Sequence, residues 1–545
     1  MQVRPLCGQA LLIKIGGLQL LVDTPLNFVG LLELTPRCLH TSSQAQTLSY
    51  DSVLYETVDS EALDVVMVSN IHTVQGLPML FPHCHARVLM TDPVAKLGRP
   101  VCEELIALDE EMRLRSLEKS KLYGHTELAQ AWRQVQELSF GQVVRINEVE
   151  IRALSAGHSL GSANWLITWG DFKTAVISHS CMDANRYPAE FDQAALRADL
   201  LLFSPRLQPV IIPFQIQVKA LYEALLEVCR SNSMQSVVLI PLNPWLFLDL
   251  QSRLVSVSAA FHLPIYCVSQ TVKAFCACAA GSTEWLNQDL KNKSYGPHSA
   301  FPFEAAIESK SLRIYQDLKE SFGSEFKEPC IVLVTHSSLR LGEAEYILSY
   351  LANQGKSAHS LFFVDAEHPM EACIAPYRAA NWTRKLKLTQ SDLRVSLTVQ
   401  DTRELITKSV ARQCVLPASF QTPLDLITGK VLTYYSSDDP VTLLRSAPTG
   451  IVVRSSASIS GVVFGSVNYR DYAYTVDLIS VADLLRGGLV SLGVSAEVEE
   501  RGDLVIVRAQ EGRAELSPRG ITLRAQSPDF RKVLLRLVRR LPRND

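Results

Sequence analysis

Between about residues 208 and 385 the chain alternates short apolar runs with segments of helical periodicity. The runs fall at 237–241, 265–268, 331–334 and 361–364, and the helical segments at 216–231, 245–259 and 341–353. A strand buried on both faces needs such a run without polar alternation. Parallel strands cannot be joined by tight turns, so helices must return the chain between them. The pattern therefore predicts a parallel sheet with helices on its faces, and a polar, proline-containing loop at 292–303.

The region before it is built differently. Residues 10–23 read as a hairpin turning at Gly16 and Gly17. Buried-looking strands follow at 62–68 and 87–90, a helical stretch at 94–138, and strands near 142–155, 164–169, 172–178 and 199–204. Strands at both ends with helices between them fit an α/β sandwich. Residues 394–419 add one more strand, a helix from Thr402 and the run Cys-Val-Leu-Pro.

The last 125 residues or so, 421–545, read as a separate small α+β domain. Short strands are expected at 450–454, 461–464, 503–508, 514–516 and 521–524, with a helix at 477–486. The closing helix is capped by Ser527 with Pro528 at its first position. Its apolar face is Phe530, Val533, Leu534, Leu537, Val538 and Leu541, a candidate partner-binding surface. Its other face is basic, with Arg531, Lys532, Arg536, Arg539 and Arg540.

A chain of 545 residues exceeds one core and calls for several domains. A net charge of −3 gives no bulk attraction to nucleic acid. None of the twelve cysteines forms a Cys-x-x-Cys pair, which disfavours structural zinc and suits reduced, buried thiols. Neither a secretory signal nor an apolar run of about 20 residues is apparent, so no membrane span is expected.

The strand at 62–68 runs into the loop Ser-Asn-Ile-His-Thr-Val-Gln-Gly at 69–76. Further strings of interest are Leu-Leu-Val-Asp at 20–23, Asp-Pro-Val-Ala-Lys-Leu-Gly-Arg-Pro at 92–100, Ala-Gly-His-Ser-Leu-Gly-Ser-Ala-Asn-Trp at 156–165, and Pro-Cys-Ile-Val-Leu-Val-Thr-His-Ser-Ser at 329–338. With these strings the chain resembles, over roughly residues 5–420, the metallo-β-lactamase/β-CASP proteins that process RNA 3′ ends, and within them the inactive subunits.

The resemblance implies a metallo-β-lactamase αββα sandwich (1–207 and 386–420), an inserted β-CASP parallel-sheet domain (208–385) and a C-terminal dimerisation domain (421–545). Active members hold two zinc ions that share a hydroxide. Their loop ligands map to Asn70, His72, Val74 and Gln75, a further histidine to His158, and the bridging aspartate to Ser180. The acidic residue of the β-CASP string maps to Phe203. No histidine follows His368, so the family's C-terminal ligands have no counterpart. Asn and Ser are poor zinc ligands and Val is none. The expectation is a pseudo-enzyme without a cofactor, with His72 and His158 as weak residual metal candidates.

By the same resemblance it would sit in the nucleus and pair, through C-terminal domains, with the active β-CASP nuclease of the Integrator assembly, among further Integrator subunits. Contact with RNA would be indirect. The equivalent inactive subunit of the polyadenylation and histone pre-mRNA machinery is the alternative.

Overall fold

The computed structural model describes residues 1–6, 10–39, 49–81, 83–113, 122–231, 236–296, 299–319, 321–354, 359–382, 386–421 and 430–435, and beyond these 441–442, 466–467 and most of 482–525. The chain forms two compact units. One is Arg4–Asp439, and the other joins Met1–Val3 to residues from Pro440 onward.

In the larger unit a mixed sheet runs, in spatial order, Ala10–Ile15, Leu18–Val22, Val65–Met67, Arg87–Thr91 and Val135–Leu138. The first pair is the expected antiparallel hairpin; the others are parallel. The second sheet runs Val431–Tyr435, Gln413–Pro417, Leu200–Phe203, Phe172–Ile177, Ala163–Trp169, Val149–Ser155 and Val143–Ile146. These are the two sheets of an α/β sandwich. They are tied where the Ala163 N–H donates to the Ser69 carbonyl at 2.8 Å.

The third sheet is all parallel, in the order Leu312–Tyr315, Ile265–Val268, Cys330–Val334, Val237–Pro241, His359–Asp365 and Leu386–Leu393. Its four inner strands are buried residue by residue, as continuous apolar runs require. The outer two, Leu-Arg-Ile-Tyr and Leu-Lys-Leu-Thr-Gln-Ser-Asp-Leu, are edges with polar residues. Helices Phe214–Ser231, Phe247–Phe261 and Gln270–Gly281 return the chain between strands. Among the described residues no helix is long and apolar enough to cross a membrane.

Several local expectations change. The stretch 94–138 is not one helix: Asp92–Arg113 and His125–Arg133 are helical, and Val135–Leu138 is a strand. The segment 292–303 is flanked by the short helices Gln288–Ser294 and Pro302–Glu308. The inserted sheet extends past 385 to Leu393, and the second sheet extends past 420 to Tyr435.

In the smaller unit Ser466–Val467, Gly520–Ala525, Gly512–Ser517, Leu504–Ala509 and Ala496–Arg501 form one antiparallel sheet. The strands expected at 503–508, 514–516 and 521–524 are three of these. Those at 450–454 and 461–464, most of the helix at 477–486, and the closing helix with Phe530, Val533, Leu534, Leu537, Val538 and Leu541 lie outside the described residues.

The insertion is pinned to the sandwich by one buried ion pair. Arg186 stands on a loop after the Phe172–Ile177 strand, and Asp249 on helix Phe247–Phe261. Arg186 Nη2 and Nε donate to the two Asp249 oxygens at 2.7 and 3.0 Å. Both side chains are at least 97% buried (1% and 3% exposed). Arg186 Nη1 donates to the carbonyls of Gly157 and His158 at 2.8 and 2.7 Å. Burial works against the guanidinium's charge, but the Asp249 carboxylate outweighs it and holds Arg186 above its ordinary pKa. Removing one partner leaves the other charge buried and alone, at a cost of about 3–5 kcal/mol. Asp249→Ala is expected to lower unfolding stability by that amount in urea titrations. A loss below about 1 kcal/mol, as for an exposed pair, would contradict this assignment.

Candidate functional site

The candidate site lies where strand ends of the sandwich meet the inserted sheet. The strand Val65–Met67 delivers the loop at 69–76, and its shape is set by Asp23. Asp23 is buried with φ of 70°, and its Oδ1 accepts the Ser69 N–H at 2.8 Å and the Thr73 hydroxyl at 2.7 Å. Ser69 Oγ in turn accepts the indole N–H of fully buried Trp165 at 3.0 Å. Asp23 is thus an organiser of the loop. Opposite, Gly157 has φ of +67°, and a Cβ there would stand 2.2 Å from the Cys181 carbonyl oxygen. Only glycine permits this turn, which delivers His158.

The structure brings some of the sequence-predicted residues together and keeps others apart. His72 Nε2 and His158 Nε2 are 3.2 Å apart, so one donates and the other accepts. Asn70 uses Oδ1 to accept the His72 N–H at 2.9 Å. Ser180 is turned away: its hydroxyl donates within 3.0 Å of both Asn164 Oδ1 and the Ser178 carbonyl. Val74 is fully buried in the apolar core beneath the loop. A Cβ on Gly98 would be 3.1 Å from both Val74 methyl carbons, so helix Asp92–Arg113 packs directly on it. Gln75 lines the cavity beside His72. Phe203 is buried beside Phe420, with ring centroids 6.3 Å apart, and its carbonyl accepts the Tyr435 hydroxyl at 2.6 Å.

Two residues absent from the sequence-based set complete the pocket. His179 follows the Phe172–Ile177 strand and stacks at 5.9 Å from His72 and 5.4 Å from His158. Trp245, from the insertion, meets the His72 ring edge-on at 4.1 Å. The signal for His179 was its place beside Ser180, since adjacent residues after a strand point to opposite sides. Nothing local announces Trp245, because its contact crosses between domains.

Beyond Trp245 a cavity of about 320 Å³ continues, lined among others by His72, Gln75, Glu104, Arg206, His336 and His368. Glu104 is bonded to Thr335 at 3.2 Å and to Thr271. Among the described residues, one group of three His, Cys, Asp or Glu side chains has all its ligand atoms mutually within 4.8 Å. It is Asp365, Glu367 and His368, not the histidine pocket.

The comparisons agree with this architecture. Residues 39–180 match the family described as a metallo-beta-lactamase superfamily domain. The chain is similar to Integrator complex subunit 9 of Homo sapiens, 25% identical over 357 residues, which cover 59% of this chain and 53% of that one. It is also similar to the Dictyostelium discoideum Integrator complex subunit 9 homolog, at 21% over 432 residues (70% and 59%), and to Endoribonuclease YSH1 of Candida albicans, at 20% over 416 residues (70% and 46%). The matched part is thus about half the length of the human relative.

The pocket keeps its histidines neutral. Burial first, then the Arg206 charge, pulls His179 down to about 3. His72 and His158 lie well below the ordinary range, by burial first and then by the neighbouring imidazoles and arginines. In the unfolded chain all three titrate near 6.5. Above that pH neither state takes the protons and the pocket's contribution is intact. As pH falls from about 6.5 toward 3, the unfolded chain binds protons that the pocket refuses, so stability is lost. The denaturation midpoint should therefore drop more between pH 7 and pH 5 in the wild type than in a His72→Gln, His179→Gln double variant. Equal drops would contradict a neutral pocket.

Proposed function

We propose that this chain is a catalytically silent metallo-β-lactamase/β-CASP subunit of an Integrator-type nuclear assembly for RNA 3′-end processing. Its work is to pair with, stabilise and orient an active β-CASP nuclease. The observation that carries this reading is the fate of the bridging position. Ser180 is not a carboxylate, and its hydroxyl is committed to Asn164 and Ser178 rather than to the pocket. A two-zinc centre needs an anionic bridge between its ions, and Val74, sealed in the core, cannot serve the second. The residues present therefore do not fit a zinc pair, and no hydrolytic step is derived through one.

Chemistry and packing support the same reading. An empty cage of carboxylates and histidines would be a costly cluster of buried charge, whereas neutral imidazoles, Asn70 and Trp245 fill the place without an ion. The similarity to Integrator complex subunit 9 supports the assembly, the nuclear setting and the membership of a multi-subunit complex. The contact with the nuclease is assigned to the segment after 420, where Phe530, Val533, Leu534, Leu537, Val538 and Leu541 recur at helical spacing.

The purified chain should cleave RNA no faster than a His72→Ala, His158→Ala variant, and rates clearly above that control would refute the reading. Tagged full-length chain from nuclear extract should retain an Integrator nuclease, and chain cut after residue 420 should not. Retention of polyadenylation factors instead would assign it to that machinery.

A further inference from the structure

We propose that Asp365, Glu367 and His368 form a site for one divalent transition-metal cation, separate from the histidine pocket. The three follow the central strand His359–Asp365 at the carboxyl edge of the inserted parallel sheet. Ligands gather at such edges because successive loops converge there. The donor atoms all lie within 4.8 Å of one another.

The independent sign of a ligand is unmet hydrogen-bonding capacity. Asp365 is 6% exposed and Asn243 1% exposed. Asp365 Oδ1 accepts the Glu367 N–H at 2.9 Å, while Asp365 Oδ2 has no partner among the described residues. Asn243 Nδ2 donates to Glu367 Oε2 at 2.8 Å, and Asn243 Oδ1 is likewise unpartnered. Two buried acceptors beside a carboxylate are unfavourable unless a cation or donor joins them.

Charge around the cluster points the same way. Burial first, and then the Glu367 charge, pushes the Asp365 carboxyl up to about 7, and Asp392 adds to it. No arginine or lysine acts on it to offset these effects. Arg206 lines the same cavity and bears on Glu367, but its Nη1 donates to Asn27 Oδ1 at 2.9 Å.

His368 is held as a ligating histidine is held. Its Nδ1 is 3.0 Å from Ser337 Oγ, which leaves Nε2 for an ion. Glu367 is exposed, so the cluster has an entry path from solvent. One imidazole with two carboxylates, and an amide oxygen at hand, suits Zn²⁺ or Mn²⁺ rather than a soft ion.

The test uses full-length chain stripped with a chelator, titrated with Zn²⁺ and with Mn²⁺ by calorimetry, and melted with and without metal. One ion should bind per chain in the wild type and equally in a His72→Ala, His158→Ala variant. Ser337→Ala and Glu367→Gln should each weaken binding by roughly tenfold or more. Asp365→Asn should abolish it while raising the metal-free melting temperature, because it removes the buried charge. Glu367→Gln, at an exposed position, carries the test if the buried variant does not fold. Binding that survives both Asp365→Asn and Glu367→Gln, binding lost only in the histidine variant, or no binding in the wild type would each overturn the proposal.

Discussion

The cleft depends on the buried pair between Arg186 and Asp249. Arg186 reaches from the sandwich to the first long helix of the second part of the inserted sheet, and its remaining donors cap the carbonyls of Gly157 and His158. One guanidinium therefore holds the insertion and the His158 turn in a single arrangement. Arginine suits this because its planar fork satisfies a carboxylate and two carbonyls at once. An apolar contact could join the domains as firmly but would not set the angle of the turn. The apolar core around it, with Ile71, Leu97 and Leu160 of the sandwich packed among residues of the insertion, makes the two domains one body.

Within that frame the pocket behaves as a neutral polar core. Asn70 shapes its own loop, Ser180 closes a network with Asn164 and Ser178, and the histidines bond or stack with one another. Trp245 covers His72 from the side where the cavity opens. These residues satisfy each other, which is what a scaffold requires. The unsatisfied acceptors lie elsewhere, on Asp365 and Asn243, and it is there that a cation would be stabilised.

Much of the fold was legible because its central strands are buried on both faces. The four inner strands of the inserted sheet announce themselves as uninterrupted apolar runs. The edge strands Leu312–Tyr315 and Leu386–Leu393 do not, since one side of each is open and carries Arg313, Lys387, Gln390 or Asp392. The helical reading of 94–138 failed for a similar reason: Val-Gln-Glu-Leu has no strand character until it lies beside Arg87–Thr91 at the sheet edge. In the site, the loop and the His158 turn could be placed from short strings whose spacing follows the backbone. His179, Trp245, Arg206 and the Asp365 cluster could not, because their meaning arises from residues far apart in the chain meeting across the cleft.

The central claim is that no zinc pair can form between the sandwich sheets' loops. The most direct measurement is anomalous scattering at the zinc edge from crystals of the full chain grown with excess zinc. The account predicts no pair of peaks bracketed by His72 and His158, whatever is found at Asp365. Two peaks there, about 3.5–4 Å apart, would contradict it and restore a two-metal hydrolytic centre.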